Sequence, residues 1–206
     1  MAGVRVKVRA PLRFRAARAL LRLLLGLVFR VHLEGEEGLP AGPYLLACNH
    51  LSWVDPFLLL AWLPPSPRLH FLGRRSAVYN RRWKRWVLMF VGGVIPVESG
   101  QLRHLSEAVA GVLRRGGAVA IFPEGGVGPM EGVLQPLHSG VGHFVGDNGV
   151  PVVAAGLAGT HELWRGKPIM IRIGATVQPS RSLAGDMAAI EAAMRAALPP
   201  YHDPGG

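Results

Sequence analysis

A histidine and an aspartate five positions apart follow an apolar run and could together perform acid–base chemistry. His50 and Asp55 belong to residues 49–56, which read Asn-His-Leu-Ser-Trp-Val-Asp-Pro. A carboxylate that accepts the Nδ1 proton of an imidazole fixes its tautomer and leaves Nε2 free to take a proton from a hydroxyl. We therefore predict that His50 is a general base and that Asp55 orients it. This chemistry requires neither a metal ion nor a cofactor.

Local sequence patterns place this pair on a turn between a strand and a helix. The apolar residues 44–48 predict a buried strand, and Asp55-Pro56 followed by the apolar residues 57–63 predicts the start of a helix. Structural explanations stay open for each residue taken alone. An aspartate before a proline is a common helix cap, and a histidine at a strand end often only satisfies a turn.

A second apolar segment ends in residues that could contribute to the same site. Residues 117–122 predict another strand, which continues into Pro123, Glu124, Gly125 and Gly126. The carboxyl ends of neighbouring parallel strands meet at one edge of a sheet, where open α/β folds bind their ligands. We therefore expect both segments to lie at a shared edge.

The two segments together resemble a known enzyme family. Asn-His-x-Ser-x-x-Asp and Phe-Pro-Glu-Gly, about 70 residues apart, are similar to motifs of the glycerophospholipid acyltransferases of the 1-acylglycerol-3-phosphate acyltransferase type. Two further blocks match in the right order, Gly-Gly-Val-Ile-Pro-Val at 92–97 and Gly-Val-Pro-Val-Val at 149–153. The resemblance extends from about Leu33 to Pro179.

This resemblance implies an acyl transfer reaction and assigns roles to the residues that match the motifs. An acyl-CoA or an acyl carrier protein would donate the acyl group, and a lysophospholipid hydroxyl would accept it, with 1-acylglycerol-3-phosphate giving phosphatidic acid. His50 would act as the base and Asp55 would orient it, while Glu124 and Gly125 would hold the acceptor. No cofactor is implied besides the acyl donor.

Two departures from the family pattern concern recognition of an acceptor phosphate. The family usually has an arginine where this chain has Val127, and its second block usually ends Asp-Arg where this chain has Glu98-Ser99. An acceptor phosphate would therefore need substitute ligands, for which we predict the nearest basic residues in the sequence. These are Arg74, Arg75 and Arg103. The alternative is an acceptor without this phosphate, such as a neutral lipid or a glycolipid.

The positive charge is confined to the N-terminal half of the 206 residues. Residues 1–97 contain 15 basic and 4 acidic side chains, a net charge of +11, whereas residues 98–206 have a net charge of −1. Such an excess is typical of proteins that bind anionic membranes or nucleic acids. A nucleic-acid-binding domain would explain the charge but would leave the His50/Asp55 pair without a role, so we expect no nucleic-acid partner. A non-catalytic membrane protein with this fold is a further alternative.

The first basic cluster leads into a predicted amphipathic helix over 11–29. At about 100° per residue, Arg15, Arg18 and Arg22 fall on one side of this helix, and leucines fill most of the remainder. The uninterrupted apolar stretch is shorter than the roughly 20 residues that span a bilayer, and no signal-peptide cleavage pattern follows it. We expect residues 1–30 to lie on an anionic membrane surface, with the protein peripheral or monotopic at the cytoplasmic face of the cell membrane. The alternative is a helix packed against its own domain.

The second basic cluster, residues 74–85, is mixed with aromatic side chains. Trp83, Trp86 and Phe90 share one face of a predicted helix over 81–91. Tryptophan beside arginine is typical of the membrane–water boundary, but stacking surfaces for nucleic acids and ordinary core packing give the same pattern.

Strand and helix patterns alternate along the chain and predict one α/β domain over 31–198. We expect a mixed, largely parallel sheet flanked by helices, followed by a flexible tail over 199–206. Strands are predicted at 31–34, 44–48, 69–72, 93–97, 117–122, 151–157 and 169–175, and helices at 11–29, 56–63, 81–91, 101–115, 138–147 and 183–197.

The cysteine content excludes a disulfide framework, since Cys48 is the single cysteine of the chain. Its position two residues before His50 leaves a catalytic thiol as an alternative, although a cysteine in an apolar strand is usually inert. The chain lacks the Gly-x-Ser-x-Gly motif of serine hydrolases and has no paired-histidine zinc motif.

Overall fold

The computed structural model describes residues 10–74, 93–97, 102–180 and 182–200. Within these ranges the chain forms one seven-stranded sheet with helices on both faces. The strands are β1 (Arg30–Glu34), β2 (Leu45–Cys48), β3 (Leu69–Arg74), β4 (Val94–Val97), β5 (Ala118–Ile121), β6 (Val152–Ala158) and β7 (Pro168–Val177). The helices are α1 (Leu12–Val28), α2 (Asp55–Trp62), α3 (Leu102–Arg114), α4 (Gly140–Asn148) and α5 (Leu183–Ala197), with a short 3-10 helix at Glu36–Gly38.

The sheet is mixed and largely parallel, as the sequence predicts. Its strand order is β1-β7-β6-β2-β5-β3-β4. The five adjacent strands β6, β2, β5, β3 and β4 run parallel to one another. Strand β7 is antiparallel to β6, and β1 is parallel to β7. All of β2 is buried, because helices cover both faces of a central parallel strand.

The predicted elements agree with the structure wherever it describes them. Each predicted strand is present, and each predicted helix within the described ranges is present, with ends that differ by no more than two residues. The predicted helix over 81–91 and its aromatic cluster lie outside the described residues, as do residues 1–9 and 201–206.

Two hydrophobic clusters, one on each face of the sheet, form the core. Alternate residues of β2 point to opposite faces, so Leu46 and Cys48 join the cluster that includes α2, whereas Leu45 and Ala47 join the cluster beneath α3, α4 and α5. Helix α2 is almost entirely buried. The residue that begins it, Asp55, is therefore held in a rigid part of the fold.

One side of α1 packs against the domain, and the other side exposes leucines. Phe14 is buried, and the guanidinium of Arg18 donates hydrogen bonds of 2.7–3.3 Å to the carbonyls of Leu60, Trp62 and Leu63 at the end of α2. The last carbonyls of a helix lack partners within the helix, so a cation there satisfies them. Burial, followed by repulsion from Arg22, lowers the pKa of Arg18.

Arg18 and Arg22 on this helix contact the protein itself. Arg18 caps α2, and the guanidinium of Arg22 lies 5.4 Å from the ring centroid of Trp62. Packing on α2 turns Arg18 inward, whereas Arg15 is exposed. The opposite side exposes Leu20, Leu23, Leu24 and Leu27. Within the described ranges, none of the helices combines the length and apolar character needed to cross a bilayer.

Candidate active site

Three neighbouring parallel strands end at the same edge of the sheet, which we call the carboxyl edge. Strands β5, β2 and β6 lie side by side there. His50 follows β2, Glu124 follows β5, and the loop beginning at Gly159 follows β6. The strand order thus brings together the two sequence motifs, as the sequence predicts.

His50 and Asp55 form a hydrogen-bonded pair at this edge. The Nδ1 atom of His50 lies 2.8 Å from Oδ2 of Asp55, whose side chain is fully buried. The same oxygen accepts the backbone N–H groups of Leu51 at 2.7 Å and Ser52 at 2.8 Å. Asp55 is the first residue of α2, where the helix dipole also favours a negative charge. The carboxylate is thus fixed in place before it orients the imidazole.

This pairing leaves the other nitrogen of His50 available. With the proton on Nδ1 donated to Asp55, Nε2 carries the lone pair that can accept a proton. The His50 side chain is 18% exposed, so it is packed on most sides but remains accessible from the carboxyl edge. The arrangement can therefore remove a proton from a hydroxyl placed against Nε2.

The segment that follows β5 holds both the ring and the peptide of His50. The imidazole stacks on Phe122 with 4.2 Å between ring centroids and 19° between planes. The backbone N–H of His50 donates to Oε1 of Glu124 at 2.9 Å, and its carbonyl accepts the N–H of Gly128 at 2.6 Å. The ring position is thus set from two directions, by Asp55 and by this segment.

Gly125 is required by the conformation of the same turn. Its φ of +74° lies in the left-handed region that favours glycine, and a Cβ there would lie 2.5 Å from Cδ2 of His138. The backbone N–H of His138 donates to the carbonyl of Pro123 at 2.8 Å, which closes the loop between them. The left-handed φ and the close approach of His138 thus explain why residue 125 is a glycine. Its part in holding the acceptor stays a prediction.

Two buried polar side chains join the neighbouring loops. The amide of Asn49 donates to the carbonyl of Leu157 at 3.0 Å and accepts its N–H at 2.7 Å, which ties the end of β2 to β6. The carboxylate of Glu131 accepts the N–H groups of Gly159 and His161, each at 2.9 Å. The Asn49 contacts fix the end of β2 next to His50, whereas the Glu131 contacts join the loops after β5 and β6 and do not touch His50.

Cys48 is unsuited to nucleophilic catalysis. Its side chain is fully buried, and its Sγ lies 3.8 Å from Oδ1 of Asn49. Burial raises the pKa of the Cys48 thiol, and the negative charges of Asp55 and Glu124 raise it further. Because the thiolate is the reactive form, a buried and protonated Cys48 contradicts the catalytic-thiol alternative.

Two of the three arginines predicted for an acceptor phosphate, Arg74 and Arg103, are described by the structure and lie to the same side of β2 along the sheet. Strand register places the backbone of Arg74 level with Asn49, two strands away, or about 10 Å at the usual strand spacing. Arg103 is exposed in the first turn of α3, which follows β4, and β4 lies three strands from β2, about 14 Å. Arg75 lies outside the described residues.

Several residues that shape the site were not assigned roles by sequence reasoning. Asn49 and Phe122 are the first residues of the two motifs, and this position is the sequence signal that could have pointed to them. Gly128 and Gln135 contribute backbone N–H groups, which carry no side-chain signal. Among the described residues, no group of three or more His, Cys, Asp and Glu side chains is placed to hold a metal ion.

Comparison with known proteins decides the family. Residues 30–158 match the family model described as Acyltransferase, and this segment covers more than half of the chain. The chain belongs to the acyltransferase family. The matched segment contains both motifs and ends with β6, so it includes the whole His50/Asp55 site. The resemblance noted in the sequence is thereby confirmed.

Curated relatives include acyltransferases with different printed acceptors. A lyso-ornithine lipid O-acyltransferase from Pseudomonas aeruginosa is 38% identical over 119 residues, 56% of this chain and 43% of that protein. A 1-acyl-sn-glycerol-3-phosphate acyltransferase from Cocos nucifera is 29% identical over 126 residues, 61% of this chain and 40% of that protein. The matched segments thus span less than half the length of these relatives.

A solved acyltransferase structure shares the fold. The 1-acyl-sn-glycerophosphate acyltransferase PlsC from Thermotoga maritima superimposes with a TM-score of 0.73 over 89% of this chain and 78% of that chain. The sequence identity is 19%, so this similarity concerns the fold. It agrees with a single α/β domain built on a mixed, mostly parallel sheet.

Proposed function

We propose that this acyltransferase-family protein moves a fatty acyl group from an acyl thioester to the hydroxyl of a lysolipid. The observation that carries the proposal is the His50–Asp55 pair, with Nδ1 engaged and Nε2 available at the carboxyl edge. Nε2 takes the hydroxyl proton while the acceptor oxygen attacks the thioester carbonyl. The C–S bond then breaks, the thiolate leaves, and the proton on His50 passes to it. The products are an ester and a free thiol.

The acyl donor is an acyl-CoA or an acyl carrier protein, and the reaction needs no further cofactor. Both donors present the same thioester to the acceptor oxygen, so the same base serves either one.

The acceptor that we favour is 1-acylglycerol-3-phosphate, which would give phosphatidic acid. The Cocos nucifera relative and a 26% identical relative from Saccharomyces cerevisiae, which covers 69% of this chain and 47% of that protein, both bear the name of this reaction. Arg74, whose backbone lies level with Asn49 beside His50, is a candidate phosphate ligand, and Arg75 and Arg103 are the others. A bidentate guanidinium suits phosphate well.

A phosphate-free acceptor is the second candidate, and one observation favours it. Val127 stands where the family usually has an arginine, two residues after Gly125, and its side chain is 57% exposed. An exposed valine there offers an acceptor phosphate no charge. The Pseudomonas aeruginosa relative, named for a lyso-ornithine lipid, is 38% identical to this chain, whereas the Cocos nucifera relative is 29% identical.

Steady-state kinetics with a panel of acceptors separates the two candidates. With one acyl-CoA donor, we expect turnover of 1-acylglycerol-3-phosphate, and Arg74→Ala should raise its KM roughly 10- to 100-fold through loss of a charge-assisted pair. The control is Arg114→Ala, an exposed arginine at the other end of α3. Robust turnover with an unchanged KM would remove Arg74 from the acceptor site. Turnover restricted to lyso-ornithine lipid would establish the second candidate.

We also propose that the protein is peripheral on an anionic membrane at the cytoplasmic face of the cell membrane. The support is the leucine face of α1 (Leu20, Leu23, Leu24 and Leu27), which nothing in the described fold covers. Arg13 and Arg15 are exposed on the same helix and could contact lipid headgroups. Exposed apolar side chains also occur at the carboxyl edge, among them Trp53 and Met130. In this proposal residues 1–30 contact the membrane, 31–198 catalyse, and 199–206 form a flexible tail.

Vesicle co-sedimentation tests this placement. Leu23→Glu together with Leu27→Glu should strongly reduce binding to anionic vesicles, because charges would replace the apolar face. Binding of the parent protein should weaken with salt, since each basic residue near the surface contributes up to about 1 kcal/mol that screening removes. The control is Leu183→Glu, a substitution at an exposed leucine that begins α5 on the other face of the sheet. Equal binding by all variants would contradict a role for α1.

A further inference from the structure

We propose that Glu124 is a positioning residue that acts through the His50 peptide, instead of a ligand of the acceptor. The inference rests on the proposed acyl transfer at the same site, and it changes the role that the family resemblance implies for this glutamate.

Both oxygens of the Glu124 carboxylate are used by backbone N–H groups. Oε1 accepts the N–H of His50 at 2.9 Å, and Oε2 accepts the N–H of Gln135 at 2.9 Å. Each distance is that of a well-formed N–H···O hydrogen bond. An acceptor hydroxyl that bound this carboxylate would have to share it with groups that already fix its direction. The carboxylate is therefore a bridge between the backbone of His50 and that of Gln135 in the loop that follows β5.

The carbonyl of His50 is held by the same segment. Gly128 donates its N–H to this carbonyl at 2.6 Å, and a Cβ at Gly128 would lie 3.4 Å from the carbonyl oxygen and 3.6 Å from Oε2 of Glu124. Gly128 therefore packs directly against the oxygens of both groups. Residues 124–128 therefore engage both polar groups of the His50 backbone, and the bond to Gln135 anchors the loop.

This bridge controls where the base points. The imidazole is already directed by Asp55 at Nδ1 and by the stacking on Phe122, so the backbone position decides where Nε2 lies. Reaction rates are sensitive to such placement, and a displacement of about 1 Å costs on the order of 10²-fold. Loss of the bridge should thus slow the chemical step without weakening the binding of the acceptor.

The test compares Glu124→Gln with Glu131→Gln. Glutamine keeps one carbonyl oxygen but presents an NH₂ group to the second backbone N–H, so one of the two hydrogen bonds is lost. For Glu124→Gln we expect kcat to fall on the order of 10²-fold, with the acceptor KM within about twofold of the parent value. Glu131 also binds two backbone N–H groups, but not those of His50, so its variant should keep kcat within about threefold.

Glu124→Asp provides a second measurement if Glu124→Gln folds poorly. It keeps the charge but is one methylene shorter, so it cannot span both N–H groups, and kcat should again fall with an unchanged acceptor KM. A raised acceptor KM with a parent-like kcat in either variant would establish Glu124 as an acceptor ligand and overturn the proposal. An equal loss of kcat in Glu131→Gln would also overturn it. A parent protein that consumes no thioester with any acceptor would instead overturn the proposed function.

Discussion

His50→Ala should reduce acyl transfer by roughly 10²- to 10⁴-fold, because the proposed base for the acceptor hydroxyl is removed. The fold should be retained, since the ring lies at the edge of the core and the backbone contacts to Glu124 and Gly128 do not depend on the side chain. Release of free thiol from an acyl-CoA gives the rate, and circular dichroism checks the fold.

His143→Ala is the matched control for this variant. His143 is exposed on α4, which packs on the other face of the sheet, so its removal should leave the rate unchanged. A folded His50→Ala variant that acylates its acceptor at near the parent rate would refute the mechanism.

Asp55→Asn should cause a loss of comparable size, roughly 10²- to 10⁴-fold in kcat. Oδ2 of Asp55 accepts three hydrogen bonds, from Nδ1 of His50 and from the N–H groups of Leu51 and Ser52. An asparagine oxygen in this position keeps the contacts but loses the charge that stabilises the imidazolium formed during the reaction. An asparagine nitrogen in this position would meet three donors and turn the ring away.

Two measurements separate catalysis from stability in this variant. Asp186→Asn is the control, because Asp186 is another buried carboxylate whose Oδ1 accepts a backbone N–H, that of Ser180 at 2.7 Å, and it lies in α5 away from His50. Both variants should lose stability, by about 1–3 kcal/mol per unsatisfied buried group, but only Asp55→Asn should lose activity. The double variant His50→Ala/Asp55→Asn should be no slower than His50→Ala, since the two residues act as a unit. Additive losses would show that Asp55 acts independently of His50.

The sequence by itself determined the elements and the His50/Asp55 pair. Apolar runs and helix-start residues are local signals, so the strands and helices could be predicted to within two residues wherever the structure describes them. His50 and Asp55 lie on one turn, so their contact is signalled locally by a five-residue separation at a strand-to-helix junction. The alternation of strands and helices similarly predicted a largely parallel sheet.

Only the tertiary structure decided what surrounds that pair. The strand order places β2 between β5 and β6, so Glu124 reaches the N–H of His50 across 74 positions and Asn49 bonds Leu157 across 108. Backbone N–H groups have no side-chain identity, so neither contact is visible in the sequence. Packing on α2 likewise turned Arg18 inward and left leucines on the outer face of α1. Helical periodicity separates two sides of a helix, but which side is buried depends on the shape and the unsatisfied carbonyls of its neighbour.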